Sequence, residues 1–359
     1  MVVEIGSEIR IRDTSKELYD WAQENLIIPN PQYRERERRG LWVGNTPKYL
    51  WLYHVDGSDL IVPTGVGKQV RQFLSDKDQI SVHLADNGVL EYKGTIPLYD
   101  YQKEAVEAMR HASCGILQSP CGSGKTQMGI ALAAMLGRKV LWVTHTQDLL
   151  IQSKTRAEQY FSPETLGTIT AGKAQVGSHM TFATVQTLCR IDLEQFRYTW
   201  DVVIVDECHR LAGSPTQVTM FYKVMNSLAA RHKYGLSATV HRSDGMIKST
   251  FAVLGPVIYK VPDEAVADKT MQVRILQRNT DITVSRSCLD TDGTLDYNEL
   301  LSYLGGNRER NEMIVKDLVS QKGHSCLILA SRLEQLRNIR DLLPDELRGT
   351  SAMIDGSMT

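Results

Sequence analysis

Residues 119–126 read Ser-Pro-Cys-Gly-Ser-Gly-Lys-Thr, and this stretch decides what the surrounding chain can be. An apolar run at 114–117 precedes it and suits a buried strand, while 127–136 is rich in the Met, Ile, Leu and Ala that favour a helix. A strand, a glycine-rich loop and a helix in this order predict a phosphate-binding loop, where backbone N–H groups and the positive end of a helix face one phosphate. The residues expected to bind the nucleotide are Ser119, Gly122, Ser123, Gly124, Lys125 and Thr126.

Two side chains of this loop have roles of their own. Lys125 is expected to reach the β- and γ-phosphates, and the Thr126 hydroxyl is expected to hold Mg²⁺. Ser119 stands where the full motif has a glycine. The loop by itself is therefore also compatible with a flexible turn before an ordinary helix.

A second motif decides between these interpretations. Residues 200–205 read Trp-Asp-Val-Val-Ile-Val, a run typical of a buried strand, and Asp206-Glu207-Cys208-His209 follows directly. A carboxylate at the end of a parallel strand can meet the Mg²⁺ of a bound nucleotide. We expect Asp206 to hold the metal and Glu207 to orient and deprotonate the attacking water. Together, the two motifs predict that the chain binds ATP with Mg²⁺.

Composition narrows the class of protein. The 359 residues leave room for two to three domains, and a formal net charge of −1 means that any contact with nucleic acid must be local. The six cysteines are scattered without a C-x-x-C pair, which argues against a zinc site or a disulfide framework and favours a reducing compartment. No apolar run reaches about 18 residues. We therefore expect no membrane contact and a cytoplasmic protein.

Residues 1–94 are predicted to form a separate α+β accessory domain. Residues 2–11 alternate like one strand, and Ser15 and its neighbours offer N-cap residues for a helix to about Leu26. Asp56-Gly57 and Asp86-Asn87-Gly88 each stand between apolar runs, so each predicts a hairpin.

Two features of this domain leave its role open. Residues 33–39 mix four arginines with two glutamates, which fits either a solvated face or a contact with phosphates. Four aromatic residues fit a hydrophobic core better than a platform on which bases stack: Trp42, Tyr49, Trp51 and Tyr53.

From about residue 95, strands alternate with helices as in a doubly wound parallel sheet. Residues 95–261 are predicted to form this α/β ATP-binding domain, and residues 262–359 are predicted to form part of a second domain. Gln102, on a helix that begins near residue 99, could pair its amide with the adenine edge, and its distance from the loop favours this over a plain surface glutamine. Further strands are expected at 139–144, 179–183 and 233–236.

The order Gly-Ser-Gly-Lys-Thr, Asp-Glu-Cys-His and Ser237-Ala238-Thr239 resembles the motif set of superfamily 2 helicases and translocases. Residues 235–259, where an Arg and an Asp follow the third motif and Leu-Gly-Pro comes near the end, are similar to the branch that contains XPB and phage UvsW. The resemblance covers residues 98–260 densely. It implies two RecA-like domains, ATP hydrolysis and action on duplex, forked or single-stranded DNA, in a prokaryotic or phage-encoded protein.

The resemblance also implies roles outside the ATP site. Ser237 and Thr239 would couple the nucleotide state to the grip on the strand, and His209 would relay between the two. Arg242 and Asp244 match the outer residues of the Arg-Glu-Asp triplet of XPB. Four further residues match segments that grip the nucleic-acid backbone: Thr144, Gln152, Thr184 and Gln186.

The last hundred residues carry weaker signals. Strands are expected at 271–276 and 325–330, and a helix at 332–342. Residues 290–299 imitate a calcium-binding loop, but the alignment puts Cys288 where a carboxylate is needed, so calcium is not expected. Relatives continue through motifs that supply an arginine finger. We therefore expect only the start of a second RecA-like domain, and slow ATP turnover by this chain.

The leading interpretation is an ATP-dependent DNA helicase or branched-DNA translocase. A DEAD-box type RNA helicase is the nearest alternative, disfavoured by Cys208, by the residues after the third motif and by the N-terminal domain. A module that binds nucleic acid and uses ATP only structurally is the alternative from another class.

Overall fold

The computed structural model describes residues 1–170, 172–212, 214–241, 244–269, 274–290, 293–321 and 323–356. The chain divides into two compact units, Met1–Gln272 and Val273–Thr359. Each unit is described by itself. Among the described residues, no helix has both the length and the apolar character needed to span a bilayer.

The first unit begins with a small α+β region. Its elements in chain order are β1 (Val2–Ile5), β2 (Glu8–Arg12), α1 (Lys16–Asn25), β3 (Ile27–Pro29), α2 (Pro31–Arg38), β4 (Tyr49–Trp51), β5 (His54–Asp56), β6 (Asp59–Pro63), α3 (Gly67–Arg71) and β7 (Gln79–Val82). Five of these strands form a sheet in the order β5-β6-β2-β1-β7, while β3 pairs with β4. The predicted N-cap is confirmed, because the Ser15 hydroxyl accepts the backbone N–H of Leu18 at the start of α1.

The core of this region is continuous with that of the following α/β region. Leu18, Ile11 and Leu60 belong to one buried cluster with Val218 and Ala252 of the later sequence. The backbone approach is close at Gly65, where an added Cβ would lie 2.6 Å from the carbonyl oxygen of Ala252. Residues 1–272 consequently form one compact unit, and the division at residue 94 stays a prediction.

Three expectations for the N-terminal residues were wrong. Residues 2–11 form two antiparallel strands with a turn between them, because Gly6 donates its N–H to the Glu8 carbonyl and reverses the chain. No hairpin forms at 86–88: the described residues after β7 run across the α/β region, where the Asn87 N–H donates to Asp201 Oδ1 at 2.8 Å. Only Tyr53 of the four aromatic residues is buried; Trp42, Tyr49 and Trp51 are exposed.

The α/β region supplies the larger sheet. Its elements in chain order are α4 (Asp100–Arg110), β8 (Cys114–Gln118), α5 (Lys125–Leu136), β9 (Val140–Thr144), α6 (Gln147–Glu158), β10 (Leu166–Thr170), β11 (Lys173–Gln175), β12 (Met180–Thr184), α7 (Val185–Arg190), β13 (Val202–Val205), α8 (Pro215–Ser227), β14 (His232–Ser237), α9 (Ile247–Leu254), β15 (Val257–Lys260) and α10 (Asp263–Val266). The strand order is β11-β10-β12-β9-β13-β14-β8-β15. The pairings are parallel except for the edge strand β11, so the predicted doubly wound sheet is confirmed.

The topology brings the sequence motifs to one edge of the sheet. Strands β8, β13 and β14 are neighbours, and their carboxyl ends carry Ser119, Asp206 and Ser237. On the other side of β13, Thr144 at the end of β9 is directly opposite Thr184 at the end of β12. Apolar side chains such as Trp142 and Phe182 fill the space between the sheet and its helices. This edge is where a parallel sheet places a ligand.

The second unit is helical in its described residues. Its helices are α11 (Tyr297–Gly306), α12 (Arg308–Ser320), α13 (Leu333–Leu342) and α14 (Asp345–Thr350). The helix predicted at 332–342 is confirmed as α13. Asp296 caps α11 by accepting the N–H of Asn298 at 2.8 Å. Calcium binding by this segment is untested, and no cluster of three or more metal-ligating side chains occurs among the residues that the structure describes.

The strands expected in this unit were wrong where the structure describes them. Residues 325–330 form no strand, and Leu327 and Leu329 are exposed. Residues 274–276 are also without regular structure, and 271–273 lie outside the described residues. A strand needs hydrogen-bonding neighbours, and none pairs with these segments in the described part of the unit.

Candidate nucleotide and nucleic-acid site

The loop after β8 is held by hydrogen bonds between its own residues. Gly122 and Gly124 have φ angles of 78° and 80°, which favour glycine. The buried Ser119 Oγ donates to Ser123 Oγ at 2.6 Å, and Ser123 Oγ donates to the Pro120 carbonyl at 2.7 Å. Ser119 therefore closes the loop with a hydrogen bond that glycine could not make, which explains how it can occupy this position.

Helix α4 braces the same loop from outside. Tyr101 Oη and Gln102 Nε2 both donate to the Ser123 carbonyl, at 2.9 and 2.8 Å, and Gln102 Oε1 accepts the Tyr99 N–H. An added Cβ on Gly124 would lie 2.6 Å from Gln102 Nε2. Gln102 is thus part of the loop's support in this structure, and its contact with adenine stays a prediction.

The Lys125 ammonium lies inside the loop. Its Nζ is 3.4 Å from the carbonyl oxygens of Ser119 and Pro120 and 3.6 Å from Glu207 Oε1. These contacts are long for a charge-assisted hydrogen bond, which normally measures about 2.8 Å. A largely buried cation with only long contacts fits a site made for phosphate oxygens.

The two carboxylates at the end of β13 have different surroundings. Burial, followed by the charge of Glu207, raises the pKa of Asp206 to about 6, although Asp206 accepts hydrogen bonds from Ser153 Oγ and the Glu207 N–H. A buried carboxylate beside another acid is destabilised unless a cation joins it. The donor set therefore fits Mg²⁺, with Thr126 and Asp206 as the protein groups that would hold it.

An unusual backbone conformation sets the direction of the Glu207 side chain. Its φ of 47° lies in the left-handed region that residues with a side chain rarely adopt. In this conformation its carboxylate lies between Lys125 and His209, whose Nδ1 is 3.3 Å from Glu207 Oε2. Strain at a residue whose carboxylate faces the phosphate loop suits a group that must orient a water.

His209 connects this acid to the third motif. Its Nδ1 is 2.8 Å from Ser237 Oγ, which donates its single proton to the Thr239 carbonyl at 2.6 Å. Because that proton is used, the hydrogen bond requires that His209 Nδ1 carries a proton and donates. The Ser237 carbonyl in turn accepts the Ser119 N–H at 2.9 Å. The phosphate loop, the acids and the third motif thus form one connected network.

A cavity of about 340 Å³ lies against the loop. Its lining includes Lys125, Thr126, Asp206 and Glu207. Gln152 and Arg156 of α6 line it as well, so Gln152 lies beside the nucleotide residues and not with Thr144 and Thr184. Arg156 was missed by the sequence analysis. The spacing of four residues between them on one helix face was the signal that could have found it.

Three of the residues predicted to grip nucleic acid lie at or just after the carboxyl ends of β9 and β12: Thr144, Thr184 and Gln186. Gln186 Nε2 donates to the His145 carbonyl at 2.9 Å, which ties the start of α7 to the loop after β9. Thr184 Oγ1 caps α7 through the Thr187 N–H. Asp244 Oδ1 accepts the Met246 N–H at 3.1 Å, and Arg242 lies outside the described residues. The contacts of these residues with nucleic acid stay predictions.

Comparisons with known proteins agree with this geometry. The model of the family ResIII, described as the res subunit of type III restriction enzymes, matches residues 95–242. The chain is 29% identical over 207 residues to a DNA 3'-5' translocase XPB2 of Sulfurisphaera tokodaii, covering 56% of this chain and 45% of that protein. It is 24% identical over 314 residues to a putative ATP-dependent RNA helicase L396 of Acanthamoeba polyphaga mimivirus, covering 84% and 59%.

A solved structure shares the fold. The UvsW helicase from bacteriophage T4 superposes with a TM-score of 0.52 at 20% identity, over 72% of this chain and 100% of that one. The chain spans about half the length of the first curated relatives that it matches.

Proposed function

Because the chain carries a superfamily 2 helicase core of the XPB/UvsW type, we propose that it is an ATP-dependent DNA helicase or translocase that acts on duplex or branched DNA. One observation carries the proposal: the contacts that run from Lys125 through Glu207 and His209 to Ser237. They join a group suited to phosphate binding and a group suited to water activation to the motif predicted to sense the nucleic acid.

The residues divide the chemistry among them. Bound Mg²⁺ supplies charge neutralisation at the phosphates. Lys125 binds and orients the β- and γ-phosphates, while Thr126 and Asp206 hold the metal. Glu207 orients the attacking water and accepts its proton. His209 Nδ1 lies 3.3 Å from Glu207 Oε2 and helps to hold this carboxylate in position.

The polar residues at the sheet edge would bind the nucleic-acid backbone. Hydroxyl, amide and backbone N–H groups contact phosphates without reading bases. We therefore propose that Thr144, Thr184, Gln186 and Asp244, together with Arg242, contribute to a binding surface that is blind to sequence. Gln152 faces the nucleotide cavity and is better suited to act on that side.

The nucleic acid on which the chain acts is either DNA or RNA. The translocase relative from Sulfurisphaera tokodaii has a name that refers to DNA, but the viral relative, whose match covers 84% of this chain, is named as a putative RNA helicase. RNA is therefore the second candidate substrate.

A competition experiment separates the two substrates. Steady-state ATP hydrolysis by the full chain is measured with forked DNA, single-stranded DNA, blunt duplex and single-stranded RNA at equal phosphate concentration. We expect forked and duplex DNA to stimulate hydrolysis more than RNA does. Substitution of Thr184 or Gln186 by alanine should raise the DNA concentration needed for half-maximal stimulation, whatever the DNA sequence. Stimulation by RNA alone would replace DNA with RNA as the substrate, and no stimulation by any nucleic acid would contradict the proposed function.

A further inference from the structure

The N-terminal region presents the aromatic side chain of Trp42 to solvent. Trp42 is 85% exposed, whereas Trp142 and Trp200 of the same chain are buried. Tryptophan is among the side chains that proteins bury most fully on average. An exposed tryptophan close to a charged helix is suited to binding, because its ring combines large apolar faces with a polar N–H.

The Trp42 ring is held in place by the backbone beneath it. Gly44 has a φ of 54°, and a Cβ added to it would lie 3.1 Å from the Trp42 ring. The ring thus packs one face over the backbone of a glycine. With an exposed fraction this large, most of its remaining surface is available to a second flat group.

Helix α2 fixes the base of this loop. Asn30 caps the helix by accepting the Gln32 N–H at 3.0 Å, and its Nδ2 donates to the Pro47 carbonyl at 2.8 Å on the far side of the loop. At the other end, the Leu41 N–H donates to the Arg36 carbonyl at 2.9 Å. Trp42 therefore follows directly on the last turn of α2.

That helix carries more cations than acids, three arginines against two glutamates. Arg39 pairs with Glu35 at 2.7 Å. Arg34, Arg36 and Arg38 make no ion pair within the part of the chain that the structure describes, and Arg34 and Arg38 are exposed. Three guanidinium groups without an ion pair among the described residues outnumber the one remaining carboxylate of the helix, Glu37, and the exposed Trp42 ring follows four residues after the helix ends. This combination favours a polyanion that also offers flat apolar groups.

The helix also lies beside the predicted nucleic-acid surface. Arg34 and Arg38 share with Asp244 the lining of a hollow of about 350 Å³. Asp244 belongs to the loop that follows the third motif at the carboxyl end of β14. The hollow therefore joins α2 to a residue of the predicted nucleic-acid surface.

We propose that α2 and Trp42 form an accessory site for single-stranded nucleic acid, in which Trp42 stacks on an unpaired base and the arginines of α2 contact the adjoining phosphates. Single strands fit because their bases expose faces that a duplex hides, and aromatic side chains bind such faces with little regard to sequence. The inference rests on the proposed function and adds to it the part of the substrate that the N-terminal region binds.

The test compares Trp42→Ala with Trp42→Phe in the full chain. Affinities for fluorescein-labelled single-stranded DNA, single-stranded RNA and blunt duplex DNA are measured by anisotropy in one buffer. We expect Trp42→Ala to weaken single-strand binding by about tenfold, as the loss of one stacked base implies, and to change duplex binding less than twofold. Trp42→Phe should keep most of the single-strand affinity. The DNA and RNA arms show which strand is bound.

Tyr198→Ala is the matched control. Tyr198 is also an exposed aromatic residue beside an arginine, with Arg197 6.0 Å from its ring, but it precedes β13 at the opposite edge of the sheet. The loss of the Tyr198 side chain should leave the affinities for single-stranded DNA, single-stranded RNA and duplex DNA unchanged. In addition, Arg34→Gln should lower the dependence of log K on log salt by about 0.7 for single strands.

The outcomes are separable from those of the proposed function. If the wild-type chain binds no nucleic acid, the proposed function fails as well. If it binds, and Trp42→Ala binds single strands as tightly as wild type or loses duplex affinity equally, the accessory site is wrong. In that case a second copy or another protein is the occupant of this surface.

Discussion

The Nδ1 atom of His209 lies 2.8 Å from the Oγ atom of Ser237, so a hydrogen bond joins the acidic motif to the third motif. The same nitrogen is 3.3 Å from Glu207 Oε2. A movement of the third motif would therefore shift His209 and, with it, the position of Glu207, the acid proposed to activate water. The contact gives the coupling between the nucleic acid and ATP a physical route.

Breaking this contact should uncouple the two. We expect His209→Ala to keep basal ATP hydrolysis within a few-fold of wild type and to lose most of the stimulation by DNA. The measurement is hydrolysis with and without saturating forked DNA. His111→Ala, which removes an exposed histidine at the end of α4, is the control. Full stimulation of His209→Ala would show that the signal takes another route.

Removing the buried charge of Asp206 should stabilise the protein while destroying its metal site. Its pKa is raised to about 6, so at pH 7 the folded state contains an unfavourable charge that asparagine lacks. We expect Asp206→Asn to raise the free energy of unfolding by about 1–3 kcal/mol at pH 7 without Mg²⁺. The gain should vanish as the pH falls from 6 to 4, where the wild-type carboxyl is protonated in the folded state.

Chemical denaturation at several pH values checks this result. Ser153→Ala, which removes a hydrogen bond to Asp206 without removing charge, should not stabilise the protein. A lower stability of Asp206→Asn at pH 7 would contradict the assignment of Asp206 as a destabilised, buried carboxylate.

Gln102 allows a test of nucleobase recognition. We expect Gln102→Ala to lower ATP affinity on the order of tenfold and to reduce the preference for ATP over GTP, since a hydrogen-bonding group facing adenine would be lost. Tyr101→Phe removes the other hydrogen bond to the same Ser123 carbonyl. It should therefore weaken the loop but keep the ATP-to-GTP ratio. An unchanged ratio in Gln102→Ala would confine Gln102 to its structural role.

Lys233 predicts a pH dependence of stability far from the active site. Its ammonium is buried and donates to the carbonyls of Ser7 and Met225 at 3.0 and 2.8 Å, and burial lowers its pKa to about 7. Between pH 7 and the ordinary lysine pKa, the unfolded chain binds more protons than the folded one. The stability of wild type relative to Lys233→Met should therefore rise with pH, by up to about 1.4 kcal/mol per unit.

Paired unfolding measurements at pH 7 and 9 test this expectation. Lys77→Met, which replaces an exposed lysine, should show no such trend relative to wild type. Burial also raises the pKa of Glu8, the carboxylate near Lys233. A relative stability of wild type that falls between pH 7 and 9 would have the wrong sign.

The nucleotide site was predictable because its signals are local and its topology is general. The glycine-rich stretch between an apolar run and a helix-forming run predicts the loop. Parallel strands then bring Ser119, Asp206 and Ser237 to one edge whatever the details of packing. Positions of secondary structure around them followed from apolar runs such as 202–205.

Errors arose where tertiary partners decide the outcome. Residues 86–88 have the sequence of a hairpin turn, but the Asn87 N–H donates a hydrogen bond to Asp201, which is 114 positions away. The apolar run at 325–330 predicts a strand, yet a strand forms only beside another. Trp42 was expected in the hydrophobic core, because the sequence does not show that its ring packs on the backbone of Gly44. Arg156 was overlooked although its spacing of four residues from Gln152 on one helix could have pointed to it.

The most direct test of the account is a single-turnover measurement of ATP hydrolysis with forked DNA, paired with equilibrium binding of Mg-ATP, for wild type, Glu207→Gln and Lys125→Ala. We predict that Glu207→Gln binds ATP within a few-fold of wild type but hydrolyses it at least about a hundredfold more slowly, because only water activation is lost. Lys125→Ala should lose ATP binding. Equal hydrolysis by Glu207→Gln, or equal ATP affinity of Lys125→Ala and wild type, would contradict the assignment of this site.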